Sequence, residues 1–195
     1  MKNPDIDIDF ADRDLALAQL DYVPALTKTS QGARPHVGVY FQDIPVHPLT
    51  GHAAYDYQTA GDLGYTKIDF LNLHIYQQIK DEEHLLRLHN TEPLWELLEV
   101  ESFASELFQL GGHAELVTAM KPQSVEHLAM LLALIRPGKE HLIGKPWEEI
   151  EKEIWLPTKE GYTFKKSHAI SYALVVALQI NLMVEQLSEE SNEVD

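Results

Sequence analysis

The chain has 195 residues, no cysteine and a formal net charge of −16. That composition excludes disulfides and thiolate metal sites, and it argues against a strong stand-alone duplex-DNA binder, because so acidic a surface repels nucleic acid at long range. The length suits one well-buried domain, and 45% hydrophobic with 24% charged residues is an ordinary globular balance. The four arginines (Arg13, Arg34, Arg87, Arg136) are spread along the chain rather than clustered. No run of eighteen apolar residues is present, the longest stretch lying near Ala173 to Leu178, and no cleavable basic-apolar pattern opens the chain. Cytoplasmic residence without a membrane partner is the expectation.

In chain order, Pro4 to Phe10 alternates with a period of two, placing Asp5, Asp7 and Asp9 on one face of a strand and Ile6, Ile8 and Phe10 on the other. Ala11 to Leu20 reads as a short amphipathic helix stopped by Pro24, and Thr27 to Ala33 as a polar loop. His36 to Phe41 is β-branched and aromatic, a buried strand, and Ala53 to Gln58 reads as a short strand. Tyr65 to Leu71 is another strand, with Lys67 and Asp69 on one face and Ile68 and Phe70 on the other. From Asn72 the pattern turns helical. Thr91 is an expected N-cap, with Pro93 in the first turn. Helices are expected over His113 to Met120, Ser124 to Ile135, Pro146 to Trp155 and Lys166 to Leu187, followed by an acidic, frayed tail, Glu189 to Asp195. Strands in the first third and helices thereafter predict an α+β fold rather than alternating βαβ units.

Three acids on one strand face repel one another unless positive charge sits between them, and carboxylate oxygens suit hard divalent cations. A solvated edge strand is the alternative. Asp7 and Asp9, two apart on one strand, with Asp69 on a neighbouring strand, form a set able to hold two cations about 4 Å apart, the arrangement used in phosphoryl transfer. The histidines at 47, 52, 74, 84, 89, 113, 127 and 141 lack the i, i+4 pairing with an acid that marks a zinc helix, and read as ordinary surface or core residues. Trp95, Trp147 and Trp155 sit among leucines and isoleucines and read as core. Gln179 to Met183 loosely resembles a sliding-clamp peptide, but it lies in a helix whose apolar side is needed for packing.

The chain resembles the bacterial replicative C-family DNA polymerases, the DNA polymerase III alpha subunit. Pro4 to Phe10 resembles that family's first palm motif, and Lys67-Ile68-Asp69-Phe70-Leu71-Asn72-Leu73 its second. His36-Val37-Gly38-Val39 resembles its histidine-and-glycine strand. Phe108-Gln109-Leu110 and Ala133 to Gly138 resemble two fingers-region motifs, and Gly161 to His168 with Tyr172-Ala173-Leu174 resembles the last. The resemblance implies catalytic, metal-binding acids at Asp7, Asp9 and Asp69, two Mg²⁺ or Mn²⁺ ions, and Asp5 outside the set. It implies a substrate-binding group of Lys67, Arg136, Tyr162, Lys166, Ser167 and His168, and a nucleotide as ligand.

The same resemblance implies a polymerase-beta-like nucleotidyltransferase palm, a small mixed sheet over residues 1–75. A helical, fingers-derived part over 76–188 would pack on it as one compact unit, with a tail at 189–195. The departures shape the functional expectation. The exonuclease-like domain, the phosphate-binding Gly-Ser segment, the thumb and most of the basic fingers are expected to be missing, and Arg34-Pro35 stands where the family has glycine-lysine. Processive synthesis needs the positive groove those parts build. The expectation is therefore a reduced nucleotidyltransferase that meets nucleic acid weakly or through a replication-protein partner. The alternative is a non-catalytic protein that mimics part of the replication machinery.

Overall fold

A computed structural model describes residues 6–29, 32–158 and 164–193. The chain is α+β and divides into two compact units, Met1–Lys80 and Asp81–Asp195. The division falls slightly beyond the expected boundary at residue 75, and each unit has its own core.

The first unit is built on a four-stranded mixed sheet, β1 (Ile6–Phe10), β2 (Val23–Thr29), β3 (Gly32–Tyr40) and β4 (Ile68–Asn72), in the order β1-β4-β3-β2. β1 pairs with β4 in parallel, and the other pairings are antiparallel. Residues paired across a ladder share a face. One face carries Phe10, Ile68, Phe70 and Val39, packed against Leu17 of α1 (Arg13–Leu17), and Phe10 stacks on Phe70 with ring centroids 4.8 Å apart. Burying such a side chain contributes roughly 1.5–3 kcal/mol. Asp12 caps α1 by accepting from the Leu15 amide at 3.0 Å. On the opposite side Tyr40, Ala25, Ile44, Ala53 and Ala60 form a second cluster, with Ala60 supplied by α2 (Tyr57–Asp62).

Four local expectations are corrected here. The helix after β1 covers only Arg13–Leu17, not Ala11 to Leu20. The segment read as the loop Thr27 to Ala33 contributes to β2 and β3, which pair as a hairpin through Thr27–Arg34, Lys28–Ala33 and Thr29–Gly32. Pro24 is not the helix stop, since α1 ends at Leu17; it lies in β2 at a break in register between Pro24 and Leu26, where a missing N–H is tolerated. Ala53 to Gln58 is not a strand. It makes single bridges at Ala53 and Asp56, after which Asp56 caps α2 by accepting from the Thr59 amide at 3.1 Å and hydroxyl at 2.9 Å.

The second unit is helical: α3 (Glu82–Asn90), α4 (Glu101–Ala104), α5 (Ala114–Met120), α6 (Val125–Leu134), α7 (Trp147–Ile154) and α8 (Lys166–Glu193). Ser124 caps α6, accepting from the His127 amide at 3.1 Å. Every residue of α6 from Leu128 to Leu134 is buried, so this helix is apolar all round and forms the centre against which α7 and α8 pack. Trp95, Trp147 and Trp155 are half-buried against this core. Thr91 does not start a helix: it ends α3, its hydroxyl donating to the Arg87 carbonyl at 2.7 Å.

α8 runs through Glu193, so the expected frayed tail is helical over most of its length. By length and composition α8 could cross a membrane, and half of its most apolar window is buried in the protein. Ile180, Asn181 and Leu182, the centre of the clamp-like peptide, are buried, with the Asn181 amide donating to the Leu88 and Thr91 carbonyls at 2.8 Å each. That peptide serves packing.

Candidate functional site

The parallel β1–β4 ladder sets Asp7 directly opposite Asp69, and Asp9 opposite Leu71. Since β1, β4 and β3 are neighbours, Asp69 stands in the middle, between Asp7 on one side and Gly38 on the other. The edge strand is pinned in this register by the segment after β4: the Leu73 amide donates to the Phe10 carbonyl at 2.8 Å, and the Gln77 side chain donates to the Ala11 carbonyl at 2.9 Å. Asp5 lies outside the described residues.

Asp69 is largely shielded, its side chain 13% exposed. Lys67, two residues earlier on the same face, donates to its Oδ2. The other oxygen, Oδ1, is buried and accepts no hydrogen bond among the described residues. His36 Nδ1 lies 3.6 Å from it, yet that nitrogen already accepts the Gly38 amide proton at 3.0 Å. A nitrogen whose lone pair is so used has no proton for Asp69, so we read this contact as neutral histidine rather than an ion pair. Burial, then the Lys67 charge, hold the His36 pKa below its ordinary value despite the opposing pull of Asp69.

Gly38 makes the arrangement possible. A Cβ at this position would collide with Asp69 Oδ1 and with the Lys67 stem. A glycine inside a strand often marks such a close approach.

The acids on β1 are more open. Asp7 and Asp9 are exposed. Partial removal from water, and secondarily the Asp7 charge, raise the Asp9 pKa. Asp9 in turn helps, behind burial, to raise the pKa of Tyr76. A divalent cation would relieve the repulsion between Asp7 and Asp9 and satisfy the orphaned Asp69 oxygen, so the donor chemistry fits a hard ion. Among the described residues, no three His, Asp or Glu side chains are drawn together tightly enough to ligate one ion.

Two aromatic residues that carried no site role in the sequence reading stand on this face. Tyr57, at the start of α2, lies against His36 with ring centroids 5.0 Å apart, and Lys67 Nζ stands 5.8 Å from its ring. Tyr40 is fully buried, its hydroxyl has no hydrogen-bond partner among the described residues, and burial with the Asp56 and Asp69 charges pushes its pKa up to about 12.

The remaining residues singled out for substrate binding lie in the second unit. Arg136 donates to the Gln109 side chain at 2.6 Å and lies 4.7 Å from the centre of the Phe164 ring. Phe108 meets Tyr172 edge to face at 6.0 Å, and its amide donates to the Gln179 side chain at 2.7 Å. Three segments distant in sequence thus meet. Lys166 and Ser167 are exposed in the first turn of α8, and Lys166 lies 5.6 Å from the Trp155 ring and 3.7 Å from Glu151. His168 is half-buried beside them. Tyr162 lies outside the described residues.

No protein-family model matches the chain, and a search of curated proteins finds no match.

Proposed function

We propose that this chain is a reduced relative of the C-family replicative DNA polymerases, a metal-dependent nucleotidyl or phosphoryl transferase acting on a nucleotide or a nucleic-acid end and not processive alone. The observation that carries the reading is the register of β1 and β4, which sets Asp7 against Asp69 on adjacent strands with Asp9 one step along. A small mixed sheet bearing acids on two neighbouring strands is what a polymerase-beta-like palm requires. Further support comes from the second unit, where the segments resembling the three fingers motifs touch through Phe108, Gln109, Arg136, Phe164 and Tyr172.

In this reading Asp7, Asp9 and Asp69 hold Mg²⁺ or Mn²⁺. When bound, two such ions stabilise both the attacking and the leaving oxygen of a displacement at phosphorus. The chain's own residues position and neutralise. Lys67 lies beside Asp69, where it can take a phosphate oxygen, and Tyr57 and His36 wall that end of the site. Arg136, already packed on Phe164, supports the fingers-like segment rather than offering a free charge. The resemblance also assigns substrate contacts to Lys166, Ser167 and His168, which open α8 in the second unit.

The test is nucleotide turnover in the presence of Mn²⁺. Asp7→Asn and Asp69→Asn should each abolish it, and turnover that survives both substitutions contradicts the reading. A second reading rests on the net charge of −16: a non-catalytic protein with a DNA-like surface that occupies a replication partner. It predicts that the chain pulls down a defined replication protein with the acids of β1 and β4 dispensable.

A further inference from the structure

A cleft of about 810 Å³ opens beside α7, and its wall carries Lys139, His141, Lys145 and Lys152 together with Glu149 and Glu153. This runs against the composition of the chain, in which 31 acids face 15 lysines and arginines. Glu149, Lys152 and Glu153 share one side of α7 by their i, i+3 and i, i+4 spacing, while Ile150 and Ile154 are buried.

The acids of the cleft are partly engaged. The Glu153 carboxylate is hydrogen-bonded to His141 Nε2 at 2.6 Å, which with the nearby Lys145 and Lys139 charges lowers its pKa. Lys139 is only 6% exposed, and its ammonium donates to the Glu153 and Leu156 carbonyls at 3.0 and 2.8 Å. An ammonium has three N–H groups, so one has no partner among the described residues. Lys145 and Lys152 are exposed on the wall and make no ion pair among the described residues.

We propose that this cleft binds a small molecule carrying a di- or triphosphate group. Lys145 and Lys152 contact its phosphate oxygens, and the buried Lys139 adds positive charge to the same wall. Several lysines lining one pocket match a multiply charged oxyanion, and charge-assisted hydrogen bonds of this kind are among the strong ones. Leu156 and Pro157 give the cleft an apolar side. The volume falls within the usual range for a small-molecule pocket, roughly 300–1,000 Å³. The site shares no residue with the acids of β1 and β4 and does not depend on the reading given for them.

The experiment is calorimetric titration of the full chain with inorganic tripolyphosphate and, separately, with ATP, in EDTA so that the acid site stays without metal. Both ligands should bind. Equal affinity identifies phosphate as the whole of what is recognised, and tighter binding of ATP adds the apolar wall. Lys145→Gln and Lys152→Gln should each weaken binding about tenfold, while Lys28→Gln, on β2, should leave it unchanged. Both cleft lysines are exposed, so circular dichroism should show the variants folded. Absence of binding by both ligands, or affinity unaltered in the double variant, overturns the proposal.

Discussion

Gly38 lies directly across the antiparallel β3–β4 ladder from Asp69, and the side chain it lacks is the space that the Asp69 carboxylate and the Lys67 stem occupy. Any side chain here must displace one of them. Gly38→Ala should lower stability by about 1–3 kcal/mol, the usual range for overpacking, measured by urea denaturation. Gly38→Val should cost more. Wild-type stability in both variants would show that the close approach is unimportant.

Lys67 and Asp69 are both largely shielded, 16% and 13% exposed. Removing one partner leaves the other charge without compensation, whereas removing both is far milder. Lys67→Met should destabilise by about 1–3 kcal/mol, and adding Asp69→Asn should recover part of that loss. A double-mutant cycle measures the coupling. Additive effects would mean that the pair contributes nothing.

The pH response has opposite signs at Asp9 and His36. Asp9 has a folded pKa above its ordinary 3.8, so the folded state binds its proton more readily. Stability from this group is full below the ordinary value and is lost as pH rises through the folded value. Asp9→Asn should therefore be more stable than wild type at neutral pH, with the gain shrinking in acid and in high salt. His36 has a folded pKa below its ordinary 6.5. Its contribution is present above that value and is lost as pH falls through the folded one, so His36→Gln should flatten the acid limb of the stability curve. Thermal melts between pH 3 and pH 8, roughly the range spanning both ordinary values, check each sign.

Arg136 links Gln109 to Phe164 through a planar guanidinium. Lysine cannot reproduce both a directed hydrogen bond and ring stacking. Arg136→Lys should thus lose most of what Arg136→Ala loses, about 1–3 kcal/mol, in chemical denaturation. Full rescue by lysine would show that only charge matters.

The site's acids were legible in the sequence because strand periodicity is short-range: Asp7, Asp9, Lys67 and Asp69 follow from alternation with Ile6, Ile8, Ile68 and Phe70. Their pairing depends on the β1–β4 register, which alternation alone does not choose. β2 was hidden because Pro24, Thr27, Lys28 and Thr29 have the composition of a loop, and only pairing with Gly32 to Tyr40 makes them a strand. α2 was hidden because Tyr55 and Tyr57 imitate strand alternation while the real signal is one cap, Asp56. Tyr57 went with it. Tyr40 was visible as a buried strand residue, but nothing local announces that its hydroxyl would be left alone. The glycine at 38, inside a strand and two residues after His36, was the available signal of close approach. The helices of the second unit were easier, since Ser124, Gly111-Gly112 and Pro137-Gly138 punctuate them.

The central claim is that Asp7, Asp9 and Asp69 form a divalent-cation site. Mn²⁺ binding to the full chain, followed by electron paramagnetic resonance, tests it most directly. The account predicts saturable binding by wild type that Asp7→Asn and Asp69→Asn each abolish or severely weaken, with Asp12→Asn, on the neighbouring turn, unaffected. Saturable binding that persists unchanged in both acid variants, or no binding by wild type, would contradict it.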